Sequence, residues 1–188
     1  MSRLFVECGA HLIDADVLAR EAVAPGTAAC QEIAAVFGRD MLRQDGSADR
    51  ERLGAVVFAD PAQRARLEAI IHPSVFAEEE RQCRAITEQD PQAFVLFDAA
   101  LLIETGAHRR KDRVIVVTAD EPTQLQRLMA RNRLTEEEAH RRIRSQMPLA
   151  DKVAVADYVI DGTLPLASLR ADVRRIYDAL TSLDGVTR

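Results

Sequence analysis

His11-Leu-Ile-Asp-Ala-Asp16 decides the fold: a short strand runs straight into two carboxylates. An acidic turn closing such a strand belongs at the carboxyl edge of a parallel sheet, where α/β proteins bind their ligands. Upstream, Met1–Cys8 has helical spacing, with Leu4, Phe5 and Cys8 on one face and Gly9 to end it. Downstream, Phe94-Val-Leu-Phe97 leads into Asp98, and Tyr158-Val-Ile160 sits between Asp157 and Asp161. Val114-Ile-Val-Val-Thr118 is a continuous β-branched run of the kind buried on both faces. Strands alternating with helices predict an α/β fold: a parallel sheet with helices on both faces.

Between the first two strands, Pro25–Gln89 reads as helical. Asp60-Pro61 supplies a cap and a first-turn proline, and Leu67, Ile70 and Ile71 form the stripe beyond. His72-Pro73 is expected to interrupt or kink this helix, because the proline ring clashes with the preceding turn. About 65 residues separate the two strands, against a usual minimum of about 10–12 for a crossover. The stretch therefore reads as an insertion that holds a substrate. Further on, Asp120 and Pro122 open a helix whose Leu125, Leu128 and Met129 face inward. Thr135-x-x-Glu138 is a capping box. The helix it starts has a thin stripe, Ala139 and Ile143, and so reads as a poorly anchored lid. The last helix begins at Pro165 and carries Leu166, Leu169, Val173, Ile176 and Leu180 on its packing face.

The composition is that of an ordinary globular chain: 188 residues, 47% apolar and 29% charged. A net charge of −5 argues against a general nucleic-acid binder, and no apolar run is long enough to span a bilayer. Cys8, Cys30 and Cys83 are scattered without metal-type spacing, which fits reduced thiols and a cytoplasmic location.

Three groups of residues can carry chemistry. Of Asp14 and Asp16, one is read as structural, a helix cap, and the other as facing the cleft. Asp98 ends another strand and either holds Mg²⁺ through water or caps its turn. Arg127, Arg131, Arg133, Arg141, Arg142 and Arg144 are mostly a solvated face offset by Glu136, Glu137 and Glu138. One or two of them suit phosphate, whose oxygens a guanidinium matches in bidentate fashion. His72, from its place before Pro73, reads first as a structural histidine at a helix end.

Taken together, Ile13-Asp-Ala-Asp16, Leu18-Ala-Arg-Glu21, Val23-Ala-Pro-Gly26, Phe37-Gly38, Asp45-Gly46, His72-Pro73, Asp98-Ala-Ala-Leu-Leu-Ile-Glu104, Gln124-Leu-Gln-Arg127 and Ala156-Asp-Tyr-Val-Ile160 resemble the dephospho-CoA kinase family. The resemblance implies a P-loop kinase-like core over residues 1–24 and 90–188, with a helical lid at about 132–146. Residues 25–89 would form a helical substrate (CoA) domain. The implied reaction is ATP-dependent phosphorylation of the ribose 3′-hydroxyl of dephospho-CoA, the last step of CoA biosynthesis, with Mg²⁺. Asp16 falls at the family's general base. Arg20, His72, Leu101 and Leu102 fall on the substrate side, with Arg131 as a catalytic arginine and Arg127 and Arg142 on the transferring phosphates.

The sequence departs from that pattern in three places. No Gly-rich loop ending in Gly-Lys-Ser/Thr occurs, so the first, central strand and the phosphate cradle are expected to be missing. A GTG valine codon read as the start at Met1 would account for this. Asp161-Gly162 stands where an Asn-bearing turn near the adenine is common, and Ala99-Ala100 replaces a proline before the paired leucines. About five lost apolar residues at roughly 1.5–3 kcal/mol each compare with a whole domain's ~5–15 kcal/mol. The expectation is therefore a destabilised chain with little kinase activity. Competing readings are a catalytically dead dephospho-CoA- or CoA-binding module and a different nucleotide or nucleoside kinase. The oligomeric state is not legible.

Overall fold

The structure is a computed structural model that describes residues 1–132 and 134–183, with Phe58, Ala59 and Leu183 as backbone alone. Arg133 of the arginine cluster lies outside the described residues. In chain order the elements are α1 (Ser2–Cys8), β1 (His11–Asp14), α2 (Ala15–Ala22), α3 (Ala28–Phe37), α4 (Arg50–Ala59), α5 (Pro61–Gln89) and β2 (Val95–Asp98). There follow β3 (Ile115–Thr118), α6 (Glu121–Asn132), α7 (Glu136–Arg144), α8 (Leu149–Ala154), β4 (Tyr158–Asp161) and α9 (Leu166–Leu183). Two compact units result: His11–Ala99, and Met1–Ala10 with Ala100–Arg188.

In the first unit β1 and β2 pair in parallel, with Ile13 opposite Phe97 and Asp14 opposite Asp98. The apolar strand residues alternate faces, and Ile13 is fully buried with Leu18 of α2 and Val75 of α5. A second cluster joins Val23, Cys30, Ile33, Leu53 and Ile70, with Leu67 and Ile71 packed against it. The capping signal at Asp60 holds: its carboxylate accepts from the amides of Ala62 and Gln63. The expected interruption at His72-Pro73 does not occur, and α5 runs unbroken from Pro61 to Gln89. Proline costs that helix a hydrogen bond, but apolar anchors lie on both sides of it. Leu67, Ile70 and Ile71 precede the proline, and Val75 and Ile86 follow it. Their burial offsets the local loss.

In the second unit β3 and β4 are also parallel, with Val117 opposite Ile160. Asp157 fixes that register. Its carboxylate accepts from the Val114 amide at 2.7 Å, while its own amide donates to the Val114 carbonyl at 2.9 Å. The expectation that β3 is buried on both faces fails at Val117, which is 43% exposed, while Val114 and Val116 are buried. Helix α9 packs on β4, where Ile160, Val173 and Ile176 are buried. The stripe of α9 holds from Leu169 onward, but Leu166 is 58% exposed. It is the first residue of the helix and precedes the buried face. Helix α1 forms as its spacing predicts, with Leu4 and Phe5 buried and Gly9 ending it at φ +115°. Leu125, Leu128 and Met129 of α6 are each half-buried.

The capping box of α7 is complete, the Thr135 hydroxyl and the Glu138 carboxylate each serving the other's backbone amide. Its thin stripe nonetheless anchors it. Ala139 is wholly buried, and His140 Nδ1 lies 3.3 Å from Glu121 of α6. A small residue lets two polar helices approach closely, which a count of large apolar residues does not reveal.

Candidate active site

The paired carboxylates after β1 divide their work. Asp14 Oδ1 accepts from the amides of Asp16 at 2.8 Å and Val17 at 3.1 Å, capping α2. That leaves the Asp16 side chain exposed on the first turn of α2, at the carboxyl edge of the β1–β2 sheet. Arg20 lies one turn on. Its Nε donates to the Asp16 carbonyl at 3.0 Å, and the rest of the guanidinium remains exposed. Asp98 ends β2 directly opposite Asp14, so the two strand ends present carboxylates side by side. His72 is half-buried within α5, its ring 5.6 Å from that of Phe76. Asp14, Asp16, Arg20, His72 and Asp98 thus fall in one compact unit.

Leu101, Leu102, Arg127, Arg131 and Arg142 fall in the other. Leu101 and Leu102 are half-buried in the turn that follows β2. The turn is closed by the Thr105 amide on the Leu101 carbonyl at 3.0 Å and the His108 amide on that of Leu102 at 3.1 Å. Arg127 is fixed by its Nη2, which donates to the Gly162 carbonyl at 2.8 Å. Arg131 is exposed, with Nε donating to Asn132, and Arg142 is exposed on α7.

At the carboxyl ends of β3 and β4 a shallow pocket is lined by Thr118, Asp120, Leu149, Asp161 and Thr163. The Thr163 hydroxyl and amide, with Arg127 nearby, hold Asp161 below the ordinary carboxylate range. Thr123 does the same for Asp120. Gly162 is required here for space. A Cβ would stand 2.9 Å from the Thr118 carbonyl oxygen and 3.0 Å from Val117.

One strong interaction escaped the sequence. Glu104 and Lys152 pair at 2.6 Å with side chains only 19% and 15% exposed. Burial pushes the Glu104 carboxyl up, yet the Lys152 ammonium and backbone amides outweigh it and hold the group below its ordinary value. A lone Glu after Leu-Leu-Ile was the available signal, but nothing local names a partner 48 residues away.

The donor set suits Mg²⁺. That ion takes one or two carboxylates and fills its remaining positions with water and phosphate oxygens. Exposed Asp16 and Asp98 at one sheet edge are such a set, and among the described residues no cluster forms a cage of three or more ligands. No helix among the described residues is long and apolar enough to cross a membrane.

Comparison with known proteins gives a consistent result. A family model described as dephospho-CoA kinase matches residues 1–166. A dephospho-CoA kinase of Streptomyces avermitilis is 44% identical over 183 residues, covering 97% of this chain and 86% of the relative. One of Bacillus anthracis is 46% identical over 166 residues, covering 87% and 82%. Among solved structures, a Thermus thermophilus protein superposes with a TM-score of 0.74 at 29% identity, covering 100% of this chain and 90% of that one. Dephospho-CoA kinase from Campylobacter jejuni gives 0.67 at 26% identity, covering 97% and 92%.

Proposed function

Since the chain belongs to the dephospho-CoA kinase family, we propose that its site takes dephospho-CoA as phosphoryl acceptor, with Asp16 as general base. The α/β fold and the family's ATP-dependent phosphorylation of dephospho-CoA are the frame. The observation that carries the assignment is the division of labour at the end of β1. Asp14 is spent on the helix cap, so Asp16 is the carboxylate left for chemistry. In this reading Asp16 orients the ribose 3′-hydroxyl and takes its proton. The hydroxyl oxygen bonds to the γ-phosphorus, and the bond to the β-phosphate oxygen breaks to release ADP.

Arg20, one turn along α2, and His72 on α5 serve the acceptor within the same unit, which fits residues 25–89 as the substrate domain. Leu101 and Leu102 give the acceptor an apolar contact. Arg131 and Arg142 neutralise the transferring phosphoryl group. Arg127, held at Gly162, borders the pocket suited to the donor nucleotide. Mg²⁺, held by Asp98 through water, would supply charge neutralisation at the phosphates. The location that goes with this reading is the cytoplasm.

For a polypeptide of these 188 residues, binding without turnover is the expected behaviour. Phosphoryl transfer is mostly positioning and charge neutralisation, and the sequence contains no Gly-x4-Gly-Lys-Ser/Thr to cradle the donor. Titration calorimetry with dephospho-CoA, CoA and adenosine monophosphate tests the acceptor. Saturable binding of dephospho-CoA supports the reading. Binding of the monophosphate with dephospho-CoA ignored would replace it with another nucleotide kinase.

A further inference from the structure

Glu104 and Lys152 lie on opposite sides of the lid in sequence. Glu104 sits in the turn that carries Leu101 and Leu102, and Lys152 sits on α8, just beyond the joint by which the chain leaves α7. Three hydrogen bonds converge there. Glu104 Oε1 accepts from Lys152 Nζ at 2.6 Å and from the Met147 amide at 3.3 Å, and Lys152 Nζ also donates to Gln146 Oε1 at 3.2 Å. The Arg141–Glu137 pair is by contrast largely exposed and sits within one helix. It is screened by water and worth little. The second Glu104 oxygen, Oε2, is buried with no hydrogen-bond partner among the described residues. The carboxylate is therefore compensated first by Lys152, with the backbone amides of Glu104 and Met147 in support.

The pair is partly shielded from water, its side chains 15% and 19% exposed, so removing one partner leaves a charge that water compensates only in part, which costs more than the pair's net contribution. Such a pair is better suited to fixing a geometry than to adding stability. Here the geometry fixed is that of two functional segments. Residues 101–106 form the turn read as touching the acceptor, and residues 145–148 are the joint on which α7 and its Arg142 hang.

We propose that the Glu104–Lys152 pair is a positioning latch that locks the acceptor turn to the lid joint, so that neither segment can rearrange without the other. The latch rests on reading Leu101–Leu102 as the acceptor turn. Its physical core, the coupling of two segments about 40 residues apart, is measurable without that reading.

The test is amide hydrogen exchange on the 188-residue chain and on Lys152→Met, Glu104→Gln and Lys152→Arg variants, with dephospho-CoA affinity measured on the same samples. In Lys152→Met and Glu104→Gln, exchange should rise about tenfold or more in 101–108 and 145–149 together. In α9 and in His11–Ala99 it should not change. Lys152→Arg, which keeps the charge and the donors, should restore the slow exchange. Dephospho-CoA should bind about tenfold more weakly to Lys152→Met and near normally to Lys152→Arg. A rise confined to one segment, or one spread evenly over the chain, overturns the latch. Unchanged affinity in Lys152→Met with both segments loosened overturns its link to the acceptor. If the wild-type chain binds no dephospho-CoA, the functional reading has failed, and the exchange pattern alone decides the latch.

Discussion

At the scale of single residues, the carboxylates of this protein are sorted by what already occupies their oxygens. Asp14 is a cap, so Asp14→Ala should cost about 1 kcal/mol in chemical denaturation. Asp16 accepts nothing from α2 through its side chain, so Asp16→Asn should stay within about 0.5 kcal/mol of wild type. In any form of the protein that turns over dephospho-CoA, the same Asp16→Asn change should lower turnover at least about 100-fold. Equal losses of stability in the two variants would reverse the assignment.

Glu104 gives a pH prediction whose sign follows from its lowered folded-state value. Between the folded and unfolded values the native state binds fewer protons than the unfolded chain. The contribution is therefore complete above the unfolded value of 4.5 and is lost as pH falls through the lower folded value. Melting curves of wild type and Glu104→Gln should be fully separated above the unfolded value of 4.5 and should converge as pH falls below the lowered folded value. A gap that persists in acid would show that the carboxylate's charge is not what matters.

At the scale of elements, caps and helix faces were legible and the contacts between helices were not. Asp60-Pro61, Thr135-x-x-Glu138 and Gly9 each act within one turn of chain, so their signals are local and they form as read. Pro73 shows the reverse. Its local signal predicts an interruption or a kink, and two buried anchoring groups prevent the interruption. Pro73→Ala restores a backbone donor in the interior of α5 and should raise stability by roughly 1–3 kcal/mol. His72→Ala should weaken dephospho-CoA binding, and unchanged affinity in that variant would remove His72 from the proposed acceptor site.

Ala139 makes the matching point for α7. It is wholly buried on α7, so Ala139→Leu should overpack its surroundings and cost about 1–3 kcal/mol, read as earlier exchange of α7 amides. A neutral result would mean that α7 is loosely seated after all.

At the scale of the whole molecule, ligand linkage is the informative measurement. Dephospho-CoA at about 100 times its dissociation constant should raise stability by about 2.7 kcal/mol, seen as a shift in melting temperature. ATP with Mg²⁺ should give a much smaller shift on a polypeptide without the phosphate loop. An ATP shift as large as that of dephospho-CoA would show that the arginines and the Asp161 pocket suffice to hold the nucleotide.

The sequence by itself determined the four strands and their parallel α/β class. It also determined the starts of α5 and α7, through Asp60-Pro61 and Thr135, and the carboxylate-bearing turn at the end of β1. Each of these is written in neighbours a few residues apart, where propensity, periodicity and capping act. The family followed from motifs in order, not from any one spacing. What only the tertiary structure decided was partnership: which strand faces lie open, and that Glu104 meets Lys152. Those outcomes depend on contacts between residues tens of positions apart, 48 for Glu104 and Lys152 and 84 for Ile13 and Phe97. Burial and electrostatic compensation at such distances arise only when the whole chain has folded, and no local pattern encodes them.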